Sequence, residues 1–384
     1  MSQLEYKKRF LSRARRVVIK IGSQILSSQN GIEEGRIKGL VGDLAALHDQ
    51  RKEIVVVSSG AVAAGMTRLG IKERPKTIPQ KQALAAVGQI KLMALYETCF
   101  SRFHKNVAQV LLTHEDLANR RRYLNAKHTL MTLLESSIIP IVNENDTVAV
   151  EEMKFGDNDH LSALVAALLE ADLLIMLSDV DGIFDLDPRV HEDARLIPLI
   201  SDIKAAKHRL KGESQSPLGT GGISSKVSAA EKAAAAGVPT LIANGLVANI
   251  LPRLFDLRQE TGTMVIPEEN RLARRKHWIA YNLKSAGEIV VDQGAFEALV
   301  LRGKSLLPSG LKEVHGSFGV GECVRCLDLQ GREFARGLVN YSSQELNQIK
   351  GLHTSKIEQV LGYKVYDEII HRDNLVLLEK GNRQ

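Results

Sequence analysis

Between Asn143 and Ser162 the chain carries its densest set of groups able to do chemistry. Asn143-Glu144-Asn145-Asp146-Thr147-Val148 is followed by a short charged excursion and then Gly156-Asp157-Asn158-Asp159-His160-Leu161-Ser162. Carboxylates and carboxamides in one place suit an ammonium group, or a cation such as Mg2+ that takes hard oxygen ligands. Singly, Asp and Asn serve more often as caps and turn formers, bonding to nearby backbone. The clustering sets these apart. The apolar run Ser137 to Val142 enters as a buried strand and delivers Asn143 to Asp146 at its carboxyl end, where α/β sheets bind ligands. Residues 147 to 155 alternate like a hairpin arm. Gly156 then turns the chain, so that Asp157 or Asn158 caps a helix predicted over Leu161 to Glu170.

Three other stretches carry reactive types. Val17-Val18-Ile19-Lys20-Ile21-Gly22-Ser23 reads as a buried strand ending in a lysine, whose amine either snorkels to solvent or is aimed into a cleft. Ser58-Ser59-Gly60-Ala61-Val62-Ala63-Ala64-Gly65 follows a second strand and opens a helix, leaving amide N–H groups able to meet an anion. Small residues there also serve tight helix packing. Gly219-Thr220-Gly221-Gly222-Ile223-Ser224-Ser225-Lys226 abuts a helical run from Val227 to Ala236, and is the strongest phosphate signal in the chain. It lacks the spacing of a Walker A loop, and a flexible linker is its plain alternative.

The elements that must position these groups alternate. Strands are predicted at Val17 to Ile21, Glu53 to Val57, Val107 to Leu112, Ser137 to Val142, Asp172 to Ser178, Pro239 to Ala243 and Met264 to Pro267. Helices cover Glu33 to Arg51, Gln80 to Phe103 and the segment from Arg120. Such alternation indicates an α/β fold with a mainly parallel open sheet between helices. Residues 204 to 222, rich in Lys, Gly, Ser and Thr, read as mobile. Asp179, Asp181, Asp185 and Asp187 lie past the end of a strand, either facing a ligand or forming simple turns. From Ser285 onward, shorter strands at close spacing indicate a second, small β-rich module. The division is residues 1–268, a charged linker 269–284, and 285–384.

The chain has 384 residues, 44% of them apolar and 4% aromatic, and a formal charge of +6. That excess is small for the length, and solvated faces account for it as well as an anionic ligand does. Three cysteines argue against a disulfide framework. Cys323 and Cys326 form a CxxC without a second pair, on a predicted strand where positions three apart face opposite sides, which argues against zinc. With no apolar core before Val17 and no apolar stretch of membrane-spanning length, a cytoplasmic protein is expected.

Taken in order, Lys20 to Ser23, Ser58 to Gly65, Ala86-Val87-Gly88-Gln89, Arg122 to Ala126, Asn143 to Asp146, Gly156 to Asp159, Ser178 to Gly182 and Thr220 to Lys226 give a chain that resembles the bacterial glutamate 5-kinases. These are an amino acid kinase domain followed by a PUA domain, and the likeness covers nearly the whole length. The resemblance implies ATP-dependent phosphorylation of the side-chain carboxylate of L-glutamate by direct in-line transfer, the first step of proline synthesis. It further implies Mg2+ carried mainly by the ATP phosphates, feedback inhibition by proline and a homodimer or homotetramer. Contact with the glutamate 5-phosphate reductase that consumes the product is a further expectation.

Residue by residue, it assigns Ser59, Asp146 and Asn158 to glutamate. It assigns Lys20, Gly22, Ser178, Asp179 and the loop Thr220, Gly221, Gly222, Ile223, Ser224, Ser225 and Lys226 to ATP. Catalysis falls to Lys20 and Lys226, organised by Asp159. The sequence departs from the family pattern at Gln24, where Ser or Thr is usual, at Ser178 for Thr, and at Ile223 and Ser225 for Met and Thr. Kinases of aspartate, acetylglutamate, carbamate or a nucleoside monophosphate share the fold and are the nearest alternatives. RNA binding by the PUA module is the alternative of another class. Against it stand the module's mixed charge and the absence of an aromatic stacking run.

Overall fold

A computed structural model of the chain describes residues 2–28, 31–73, 75–149, 158–188, 190–212, 223–267 and 285–378, with backbone alone at 120 and 208–212. The chain divides into two compact units, Met1–Glu269 and Asn270–Gln384.

The first unit runs α1 (Gln3–Leu11), β1 (Arg16–Ile21), α2 (Ser23–Leu26), a small hairpin of β2 (Ser27–Ser28) and β3 (Gly31–Ile32), α3 (Glu34–Asp49), β4 (Glu53–Ser58), α4 (Ala61–Leu69) and α5 (Ile78–Ser101). It continues through β5 (Val107–Leu112), α6 (His114–Ala118), α7 (Arg120–Glu135), β6 (Ile139–Glu144), α8 (Asn158–Leu168) and β7 (Leu173–Ser178). Then follow β8 (Leu199–Ile200), α9 (Ile203–Gly212), α10 (Ile223–Ala235), β9 (Thr240–Asn244), α11 (Ile250–Phe255) and β10 (Thr263–Val265). The sheet order is β5-β6-β4-β1-β7-β9-β10-β8, parallel throughout except for the antiparallel pair β9 and β10. Buried on both faces, its inner strands read as unbroken apolar runs.

Strand parity decides where Lys20 goes. Val17, Ile19 and Ile21 pack into the apolar cluster on the α3, α5 and α11 side, whereas Val18 packs into the cluster under α7, α8 and α10. Lys20 is two residues from Val18, so its side chain leaves the sheet toward α8 and α10. With β4 and β7 on either side of β1, the lysine stands at the centre of the sheet.

Four sequence expectations change. Helix α8 begins at Asn158, so Asn158 and Asp159 form its first turn, where the helix dipole favours a carboxylate; Asp157 lies outside the described residues. In place of the start of a hairpin arm, Val148 and Ala149 donate to the Asn145 carbonyl as a single turn, and 150–157 lie outside the described residues. Residues 203–212, predicted mobile in large part, are helical. Ile203 and Ala206 are buried one helical turn apart, and Lys207 pairs with Glu231 of α10. Strand β8 has only two residues, too few for any periodic signal.

Helices α4 and α5 meet at backbone distance. A Cβ on Gly88 would lie 1.8 Å from the Ala61 carbonyl oxygen and 2.3 Å from the Gly65 nitrogen, and one on Gly65 2.0 Å from the Leu84 carbonyl oxygen. Gly88→Ala is therefore expected to destabilise by about 3 kcal/mol, the upper range of overpacking, because backbone must move. Gly39→Ala on α3, where a Cβ meets nothing within 4 Å, is the control and is expected to be neutral or stabilising. Thermal unfolding of the two variants measures the contrast.

The second unit is a five-stranded sheet in the order β12-β11-β13-β14-β15, made of β11 (Gly287–Val291), β12 (Leu311–Gly316), β13 (Cys323–Leu327), β14 (Glu333–Leu338) and β15 (Leu375–Leu377). Helices Gln293–Val300, Ser343–Ile349 and Ile357–Leu361 accompany it. Strand β12, at the sheet edge, carries the polar residues Lys312, Glu313 and His315 and has no counterpart among the expected strands. Cys326 enters the main core with Ile289 and Val324, while Cys323 packs on the other face against Leu338 and Val376. Burial pushes both thiols up. No helix among the described residues is long and apolar enough to cross a membrane.

Candidate active site

Three chain segments distant in sequence converge at the carboxyl ends of β1, β4 and β6. Lys20 Nζ lies 2.6 Å from Asp159 Oδ1, and Lys226 Nζ lies 3.3 Å from Asp159 Oδ2. Ser225 Oγ donates to the same Oδ2 at 2.6 Å. All three charged residues are buried, with exposures of 6% for Lys20, 2% for Asp159 and 8% for Lys226. Helices α8 and α10 bring their amino-terminal turns together to do this, one supplying the carboxylate and the other the second lysine. Gly22 leaves room for the first: a Cβ there would lie 3.4 Å from Lys20 Nζ.

Burial works against the charge on Asp159, but the two ammonium groups, with hydrogen bonds from Lys20 and Ser225, outweigh it and hold the carboxyl at about 2. Lys20 is lowered from its ordinary value, first by burial and also by the charge on Lys226, while Asp159 and Asp179 work to raise it. Two ammonium groups share one carboxylate, so the cluster carries a net positive charge facing away from bulk water.

Beside it lies a network of amides. The two N–H groups of Asn158 Nδ2 are shared among three acceptors, the Ser58 carbonyl at 2.9 Å, Ser59 Oγ at 2.8 Å and Asn143 Oδ1 at 2.9 Å. Asn143 Nδ2 in turn donates to Gln89 Oε1 at 2.8 Å. Beneath it the Ser58 hydroxyl and the Tyr96 phenol are hydrogen-bonded at 2.9 Å, and burial pushes the phenol well up. Asp146, half-buried past the end of β6, makes no hydrogen bond or ion pair among the described residues. Burial raises its carboxyl to about 6.

At the end of β7 the Ser178 hydroxyl donates to Asp179 Oδ1 at 3.1 Å, and Asn244 Nδ2 donates to Asp181 Oδ1 at 3.0 Å. Asp179 and Asp181 are exposed. Ile223, Ser224 and Ser225 form the first turn of α10. Thr220, Gly221 and Gly222 lie outside the described residues.

The structure thus brings Lys20, Asp159, Ser225 and Lys226 into one cluster, and Asn158 and Ser59 into the adjoining network. The sequence reading placed Asn143 in the polar cluster and Gln89 in a family motif without giving either a role, and it missed Tyr96. The signal for Gln89 was its place after Gly88, because a glycine allowing backbone contact between helices fixes the height of its neighbour.

Comparison with known proteins bears on what the cluster serves. The amino acid kinase family matches residues 15–244, and the PUA domain residues 287–361. A glutamate 5-kinase of Geobacter metallireducens is 54% identical over 369 residues, covering 96% of this chain and 99% of its own. One from Caldanaerobacter subterraneus subsp. tengcongensis is 49% identical over 369 residues with the same coverage. Among solved structures, an isopentenyl phosphate kinase is 16% identical with a TM-score of 0.46, covering 65% of this chain and 99% of its own. The UMP kinase of Bacillus anthracis is 17% identical with a TM-score of 0.45, covering 66% and 97%.

Proposed function

We propose, for a chain that belongs to the glutamate 5-kinases of the amino acid kinase family, that this site moves the γ-phosphoryl group of ATP onto the side-chain carboxylate of L-glutamate, the first step of proline synthesis. The observation that carries the reading is the buried pair of lysines, Lys20 and Lys226, braced by the one carboxylate of Asp159. A glutamate side chain is ionised at neutral pH and needs no general base to attack. The difficulty is bringing an anion up to a polyanion, and two positioned ammonium groups with the amides at the start of α10 answer it.

Asp146, Asn158 and Ser59 take the amino acid in this reading. An unpartnered carboxylate at a strand end suits the substrate ammonium, and proline, which offers the same ammonium and carboxylate, would compete there. Ser178, Asp179 and the start of α10 face the nucleotide. Among the described residues no group of three or more His, Cys, Asp or Glu side chains is arranged to hold a metal ion, and both oxygens of Asp159 face lysines. In this reading a divalent cation arrives with the phosphates of the nucleotide.

Incubation with ATP, Mg2+, L-glutamate and hydroxylamine is expected to yield the γ-hydroxamate, since hydroxylamine traps an acyl phosphate. Product from aspartate and none from glutamate would overturn the substrate assignment. Asp146→Asn is expected to raise KM for glutamate by about 10- to 100-fold, as loss of one charged hydrogen bond does, with a smaller change in kcat. In the wild type, kcat/KM for glutamate is expected to fall as pH drops through about 6. There the Asp146 carboxyl takes a proton and loses its attraction for the ammonium. A flat profile between pH 7 and 5 would count against Asp146.

A further inference from the structure

Two backbone groups fix the orientation of every side-chain amide in the network beside the lysines. The Ser58 carbonyl can only accept, so Asn158 must present its NH2 group there, at 2.9 Å. The Glu144 N–H can only donate, and it meets Asn143 Oδ1 at 2.9 Å. Asn143 Oδ1 therefore also accepts from Asn158, and Asn143 Nδ2 is turned the other way, toward α5. There Gln89 must offer its oxygen, and it does so at 2.8 Å. The consequence falls at the far end: Asn158 Oδ1 is a buried acceptor without a hydrogen-bond partner, on a residue only 8% exposed. An orphaned buried carbonyl is costly unless a ligand completes it, and an ammonium N–H is the donor that fits.

We propose that Gln89 is a positioning residue: through Asn143 it holds the amide of Asn158 with its oxygen turned to receive the substrate ammonium. This rests on the glutamate-binding role given to Asn158 above. The close contact of Gly88 with α4 sets the height of Gln89 on α5, which is why a side chain of this length reaches Asn143. Without the Gln89 oxygen, Asn143 Nδ2 loses its partner. The asparagine then gains from turning, and the amide that it braces loses its fixed direction.

Gln89→Met, similar in length but without a strong acceptor, is expected to raise KM for glutamate about tenfold, the effect of one lost buried hydrogen bond. kcat and KM for ATP should change by about twofold or less. Gln89→Glu keeps an oxygen for Asn143 Nδ2 and is expected to recover most of that loss. Thermal unfolding of both variants shows whether they are folded. An unchanged KM in Gln89→Met overturns the proposal. So does an equal loss in the two variants, which would assign the effect to the Gln89 NH2 group or to packing, and so does a loss shared by KM for ATP. If the wild type forms no glutamate hydroxamate, the reading of the site fails instead, and the two failures are told apart.

Discussion

Lys226→Ala is expected to lower kcat by about 10²-fold or more, with Lys20→Ala doing the same, by analogy with loss of one preorganised charge donor. With both lysines present, the two ammonium groups and the Asp159 carboxylate leave a surplus positive charge for an incoming phosphoryl group. Removing either lysine leaves a neutral pair. Asp159 still has a partner, so the fold should survive, because the severe case of a buried charge left alone does not arise. The loss should therefore appear mainly in kcat, where charge spreads over the transferring oxygens, and less in KM for glutamate, whose contacts the proposal gives to Asp146 and Asn158. Steady-state rates by hydroxamate trapping, with circular dichroism to verify folding, measure it. Unchanged turnover in both variants would remove the mechanism.

How much of this could be read from residues alone differs from one group to the next. The central strands were legible because burial on both faces leaves an unbroken apolar run. Lysine at the end of such a run was visible, but whether it faced solvent or a cleft was not. That was decided by a partner 139 residues away, Asp159, which no local pattern links to it. The role of Asp159 came from resemblance and not from its spacing. Gln89 and Asn143 stand in stretches that the sequence marks, but neither shows its role there, for a different reason. An amide on a mixed helix face or at a strand end looks like any solvated polar residue until the hydrogen bonds are traced. The first turn of α8 was placed too late, because Asn and Asp in that position read equally well as the approach to a helix.

Asp159 itself provides the sharpest separation between holding charge and delivering it. Asp159→Asn alters no group that itself meets the phosphoryl oxygens in the proposed mechanism, yet it removes the one carboxylate that keeps the two buried ammonium groups together. Burial and the charge on Lys226 already lower Lys20, and Asp159 works against both. Without it the balance moves further toward the neutral amine, so Lys20 should lose its proton at a lower pH. The expected result is a fall in kcat of about 10²-fold at neutral pH and an alkaline limb of the kcat profile displaced toward lower pH, so that activity recovers in part as the solution is made more acidic. The sign for stability runs the other way. A carboxyl held at about 2 in the fold and near its ordinary value when unfolded stabilises the protein above pH 4, and that contribution fades as pH falls from 4 to 2. Denaturant unfolding of wild type and variant should therefore differ most at neutral pH and converge toward pH 2. A variant that lost activity equally at every pH, with an undisplaced alkaline limb, would mean that Asp159 shapes the site without controlling the charge of its lysines.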